Sequence, residues 1–101
     1  MKKYRLILHP GAEKDILSAY HWGMRTWGKE RADTWVRELY TIIRERLMTQ
    51  PLSCSVAPES EDLGVTVRQL VVNRYRVLFT VEKRNVFVLH LRGAYPGYSD
   101  E

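Results

Sequence analysis

Cysteine is nearly absent from this chain: Cys54 is the only one among 101 residues. A lone thiol excludes an intrachain disulfide framework and a cysteine-based zinc finger. No apolar run approaches the ~18 residues that a membrane-spanning helix needs. The stretch Met1–Pro10 starts basic, but its apolar core is too short for a secretory signal. The expectation is a cytoplasmic protein. The sequence also lacks a glycine-rich phosphate loop, paired catalytic carboxylates and metal-ligand spacing, so neither cofactor nor metal is expected. His9 and His21 have no neighbours that suggest catalysis. Nothing beside Cys54 in sequence would lower its pKa, which makes it a packed thiol rather than a nucleophile. Acidic residues are almost missing from residues 67–92. Positions 67–92 hold Arg68, Arg74, Arg76, Lys83, Arg84 and Arg92 against Glu82 alone.

What is present suits one folded domain spanning residues 1–101. Apolar content of 45% and charge of 28% are ordinary for such a chain. The net charge of +4 is unevenly spread: residues 1–50 carry ten basic and six acidic side chains, whereas 51–66 carry only the acids Glu59, Glu61 and Asp62. A basic sheet facing an acidic or nucleic-acid partner is one account of this asymmetry. The plainer account is solubility with polar hairpin edges, which suffices for Lys83 and Arg84.

The spacing of apolar residues gives the order of elements. Tyr4–Leu8 reads as a short strand that His9-Pro10-Gly11 breaks. Proline fits the first turn of a helix, where its missing N–H costs nothing, and His9 would be a weak cap. Ala12, Ile16, Ala19, Tyr20 and Trp27 recur at helical spacing. Gly28 interrupts the pattern, and Ala32, Trp35, Val36, Leu39, Ile42, Ile43 and Leu47 resume it up to Gln50-Pro51. These two segments form a helical hairpin. Residues 51–66 read as a long loop, ordered by packing or by a partner. Three apolar strands follow, near 67–72, 75–82 and 85–92. The expected fold is therefore α+β: an N-terminal strand, a helical hairpin and a three-stranded antiparallel sheet.

Arginines inside apolar strands are the sharpest feature, because a guanidinium there must meet water, an acid or a phosphate. A three-residue turn Lys83-Arg84-Asn85, with Asn85 left-handed, pairs Val81 with Phe87, Phe79 with Leu89 and Val77 with Leu91 on the face covering the helices. It sets Arg76 opposite Arg92, and Leu78 opposite His90, on the other face. Two arginines directly opposite repel, which calls for an anion or carboxylate between them unless both splay into water. The face of Arg68 is left open.

Several pieces then recur in a known order: Pro10, Ala12 and Asp15; Ala32, Trp35 and Pro51; Cys54, Ala57, Pro58 and Glu59; Arg68-Gln69-Leu70; Tyr75 to Phe79; and Val88 to Arg92. In these the chain resembles the RelE/ParE superfamily of bacterial type II toxins, nearest its ParE-like, plasmid-stabilisation branch. The resemblance implies a growth-inhibiting toxin neutralised by a cognate antitoxin in a hetero-oligomer. ParE-like members inhibit DNA gyrase; RelE-like members cut messenger RNA on the ribosome without a metal. The two sheet lysines of the nucleases have no counterpart here; Val67 and Gln69 lie nearby. Arg92-Gly93-Ala94-Tyr95 resembles the ParE-like ending. The expected function is thus a gyrase inhibitor, with a degenerate RelE-like nuclease or a non-toxic antitoxin-binding module as alternatives. Enzymatic activity stays undecided, leaning against. As a nuclease the chain would use Arg76, Arg92, His90 and Tyr95; as a binder it would present Arg68, Arg74, Arg76 and Arg92 to antitoxin or target.

Overall fold

A computed structural model describes residues 3–93. In chain order it contains β1 (Arg5–Leu8), α1 (Pro10–Trp27), α2 (Lys29–Leu47), a 3-10 turn at Pro51–Ser53, β2 (Ser55–Val56), α3 (Glu59–Leu63), β3 (Arg68–Val72), β4 (Tyr75–Glu82) and β5 (Asn85–Gly93). The strands form one sheet ordered β1-β5-β4-β3-β2, in which β1 runs parallel to β5 and the other neighbours are antiparallel.

The helices begin and end where the sequence suggests. The Gly11 N–H donates to His9 Nδ1 at 3.2 Å, so histidine does cap α1. Gly28, at φ +95°, serves both helices. Its N–H bonds the Met24 carbonyl and its carbonyl accepts from Ala32 N–H, each at 3.1 Å. A residue with a Cβ is strained at that angle, which is why the reversal falls on glycine. Ala12, Ile16 and Ala19 of α1 and Leu39, Ile43 and Leu47 of α2 lie on the buried stripes. They meet Leu70, Val72, Tyr75, Val77, Phe79, Val86, Val88 and Leu91 from the sheet in one core.

The sheet exceeds the three antiparallel strands expected. β1 adds a parallel edge beside β5, with Leu6 opposite Val86 and Leu8 opposite Val88. β2 adds the other edge, with Val56 opposite Arg68. The long loop owes its order to a second, smaller core on the far face of the sheet, where Ala57 and Val67 cover Leu78 and touch Leu89. Two polar ties close it. The Ala57 N–H donates to the Val67 carbonyl at 2.7 Å, and the Ser60 hydroxyl accepts from Val67 N–H at 2.8 Å while donating to its carbonyl at 3.0 Å. None of these contacts leaves a periodic trace in the loop.

The β4–β5 hairpin also differs from expectation. Its turn has two residues, Lys83 and Arg84, closed by the Glu82–Asn85 pair. Lys83, not Asn85, takes the left-handed conformation, at φ +58°. Val81 pairs with Val86 and Phe79 with Val88, so the expected pairs with Phe87 and Leu89 do not form. A bulge then leaves Leu89 without a cross-strand partner. That extra residue restores the register, and Leu78–His90, Val77–Leu91 and Arg76–Arg92 pair as anticipated. The β3–β4 turn uses Asn73 at φ +56°, a conformation asparagine tolerates without glycine.

Candidate functional site

Arg76 and Arg92 are cross-strand neighbours on the face away from the helices, since Tyr75 and Val77 beside Arg76 point into the helix-side core. The carboxylate that this pairing calls for comes from the chain itself. Arg76 Nη2 donates to Glu59 Oε2 at 2.8 Å and Nη1 to Glu59 Oε1 at 3.2 Å, a two-pronged ion pair. Nη1 also donates to Gln69 Oε1 at 2.8 Å. Glu59 opens α3, and the closure of Ala57, Ser60 and Val67 over Leu78 sets that short helix above the sheet. The bond from Arg76 holds the Glu59 carboxyl below the usual carboxylate range; desolvation opposes this, and the nearby Arg92 charge adds to it. The carboxyl is thus ionised and a weak base. Arg92 itself is exposed and has no hydrogen-bond partner among the described residues.

The other arginines lie elsewhere. Arg68 pairs with Phe79 and shares its face with Leu70 and Val72, the helix side. Its guanidinium donates to the Cys54 carbonyl at 2.7 Å, anchoring the loop. It therefore does not join Arg76 and Arg92. Arg74 sits in the exposed β3–β4 turn beside a cavity of about 430 Å³ walled by Trp22, Trp27, Trp35 and Tyr75. Trp35 packs against Tyr75 at a tilt, with ring centres 5.1 Å apart, and Trp22 meets Trp27 edge-on at 5.3 Å. The four sequence-nominated arginines thus occupy three places.

By register His90 shares the face of Leu78 and Arg92, but its ring contacts Asp15 of α1 rather than the arginine pair. Its Nδ1 lies 3.0 Å from Asp15 Oδ2, and the same oxygen accepts the Leu91 N–H at 3.0 Å. β1 ends at Leu8, opposite Val88, so β5 runs on with no strand along that edge. Asp15 supplies the missing acceptor. Gly11 makes the approach possible: a Cβ there would sit 3.1 Å from both the Leu89 carbonyl oxygen and His90 Cε1. Tyr95 lies outside the described residues. Cys54 is buried, and burial pushes its thiol up, against the pull of Arg46 and Arg68. Among the described residues no cluster of three or more His, Cys, Asp or Glu side chains is placed to hold a metal, and no helix is long and apolar enough to cross a membrane.

Sequence spacing missed the roles of Glu59 and Asp15. The signal for Glu59 was indirect: a facing arginine pair needed a carboxylate, and a wholly acidic stretch, residues 51–66, preceded those strands.

Comparison with known proteins gives the fold a lineage. The chain is similar to a solved structure described as "Chromosomal ParDE TA system from P. aeruginosa", at 16% identity and a TM-score of 0.73, over 91% of this chain and 97% of that one. At that identity the likeness speaks for the fold alone. No curated protein matches. The family model for the ParE toxin of the type II toxin-antitoxin system parDE matches residues 6–94, nearly the whole of what has been described. The chain belongs to the ParE toxin family of type II toxin-antitoxin systems.

Proposed function

We propose that this protein is held by a cognate antitoxin and, once released, inhibits DNA gyrase rather than cutting messenger RNA. The carrying observation is the engagement of Arg76 by Glu59. Cleavage through a ribose 2′-oxygen needs a base, an acid and a group that stabilises the extra phosphate charge. Arg76 is the natural stabiliser, yet its fork is filled by a carboxylate too weakly basic for the proton work. His90, the nearest imidazole in sequence, is engaged by Asp15 of α1. The β3 position beside Arg76 carries Gln69 in place of a lysine. A basic protein whose sheet ends in a two-residue edge strand, with Val56 half exposed, suits a partner that wraps it with acidic and extended segments.

The test is to release the protein from its co-expressed antitoxin and assay two activities in parallel. Loss of supercoiling by purified gyrase, with messenger RNA intact on translating ribosomes, is the expected result. Ribosome-dependent cleavage that disappears in Arg76→Ala would refute it in favour of the nuclease. Absence of any toxicity would favour a module that only binds antitoxin.

A further inference from the structure

We infer that Arg76 and Arg92 form a carboxylate-binding site on the open face of the sheet, that Glu59 occupies it in cis, and that an acidic segment of a protein partner enters by exchanging with Glu59. The inference rests on the geometry of this face and not on the identity of the cellular target.

Three observations carry it. First, the site is built to receive a carboxylate, because one is already there in two-pronged geometry on a planar guanidinium. Gln69 fixes the same guanidinium from the side, so Arg76 keeps its orientation when Glu59 leaves. Second, the occupant is lightly held. α3 has only five residues, none buried and with no side-chain cap at its start. Its Leu63 is 53% exposed. The polar ties of this segment run to Val67 through Ala57 and Ser60, so Glu59 can swing away while Ser60 stays anchored. Third, the site is half satisfied. Arg92 stands across from Arg76 with no hydrogen bond to a described residue, leaving one guanidinium in place for an incoming oxygen pair.

The surroundings favour a peptide over a nucleic acid. Val71, the cross-strand partner of Arg76 on β3, is 61% exposed and offers an apolar seat beside the charge. Glu61 and Asp62 follow Glu59 on α3 and would repel a chain of phosphates more strongly than a short segment with one or two carboxylates. Two arginines among Gln69, Val71 and Thr80 are a point of charge, not the basic stripe that tracks a phosphate backbone.

The test uses the full chain, with Arg76 and Arg92 side-chain N–H signals followed by NMR as a capped acidic peptide containing Glu-Val-Glu is added. Glu59→Gln keeps the shape of the side chain and removes the competing charge. It should bind the peptide roughly tenfold more tightly than the natural protein, the factor that one charge-assisted contact gives. Glu59→Gln combined with Arg76→Met should lose that gain, and Glu59→Ala serves as a second release variant. Equal affinity of Glu59→Gln, Glu59→Ala and the natural chain would overturn the inference. So would a gain that survives Arg76→Met, or tighter binding of a single-stranded RNA oligomer than of the peptide.

Discussion

Breaking the Glu59–Arg76 pair gives the most direct physical test of the open face. The two side chains are 22% and 33% exposed, so the pair belongs neither with fully solvated surface bridges nor with buried ones. Exposed pairs contribute ~0–1 kcal/mol, and hydrogen bonds to charged groups reach about 1.5–3 kcal/mol. A coupling energy of about 1 kcal/mol is therefore expected from a double-mutant cycle of Glu59→Gln and Arg76→Met, the latter keeping an unbranched apolar stem. In a chain of this size ~1 kcal/mol corresponds to a shift in Tm of roughly 4–8 °C. The pH dependence fixes the sign. Glu59 has its carboxyl lowered in the fold, chiefly by the Arg76 bond. Its stabilisation is present above the unfolded-state value of about 4.3 and is lost as the pH falls through the lower folded value. Urea unfolding should accordingly separate the natural protein from Glu59→Gln at pH 7 and bring them together toward pH 3. A coupling indistinguishable from zero, or a gap that is the same at both pH values, would refute the electrostatic account.

Two further outcomes follow from the backbone. Asp15→Ala should cost about 1–2 kcal/mol by stripping the acceptor from the half-buried Leu91 N–H, and should speed exchange of that amide about tenfold or more. Asp15→Asn keeps an oxygen there and should lose less of both, an ordering that exchange-detected NMR would check. Gly28→Ala should destabilise by about 1 kcal/mol or more, read by thermal unfolding. Space is available at that position, but φ +95° is not open to alanine at low cost.

The helical hairpin and the succession of β3, β4 and β5 were legible because each rests on local physics. Ala12, Ile16 and Ala19 share one stripe, Leu39, Ile43 and Leu47 another, and Gly28 and Pro51 punctuate them. The register at Arg76–Arg92 was legible for a less secure reason. A three-residue turn without a bulge and a two-residue turn with one extra residue at Leu89 lead to the same downstream pairing. The inner half of the hairpin separates the two, and there Phe87 and Val86 exchange faces relative to expectation. Both are apolar, so alternation alone carries no preference. β2 and α3 were illegible in principle. Ser55–Val56 is too short to show a period, and the order of Glu59–Leu63 comes from Ala57 and Val67 closing over Leu78, a contact between residues far apart in sequence. The candidate site was half visible. The demand for a carboxylate could be read from the strand pairing, but the identity of the donor required the loop to fold.

That origin of the carboxylate changes how the basic character of the sheet should be understood. An arginine on the helix side, such as Arg68, finds a backbone carbonyl and is consumed in fixing the loop. On the open face Arg76 is partly desolvated by the loop that brings Glu59, which strengthens the pair beyond a surface bridge without burying it. A fully buried pair would be locked, since separating it leaves an uncompensated charge at a cost of ~3–5 kcal/mol. A fully exposed pair would leave a competing ligand almost nothing to displace, and almost nothing to gain beyond water. At intermediate exposure, exchange of one carboxylate for another is close to balanced, so small additions decide it: an apolar contact on Val71, or a second oxygen on Arg92. Glu59 would therefore set a threshold for binding at this face. On the exchange proposed above, a lone anion should fail to outcompete Glu59, whereas a partner that brings a carboxylate together with an apolar neighbour should succeed.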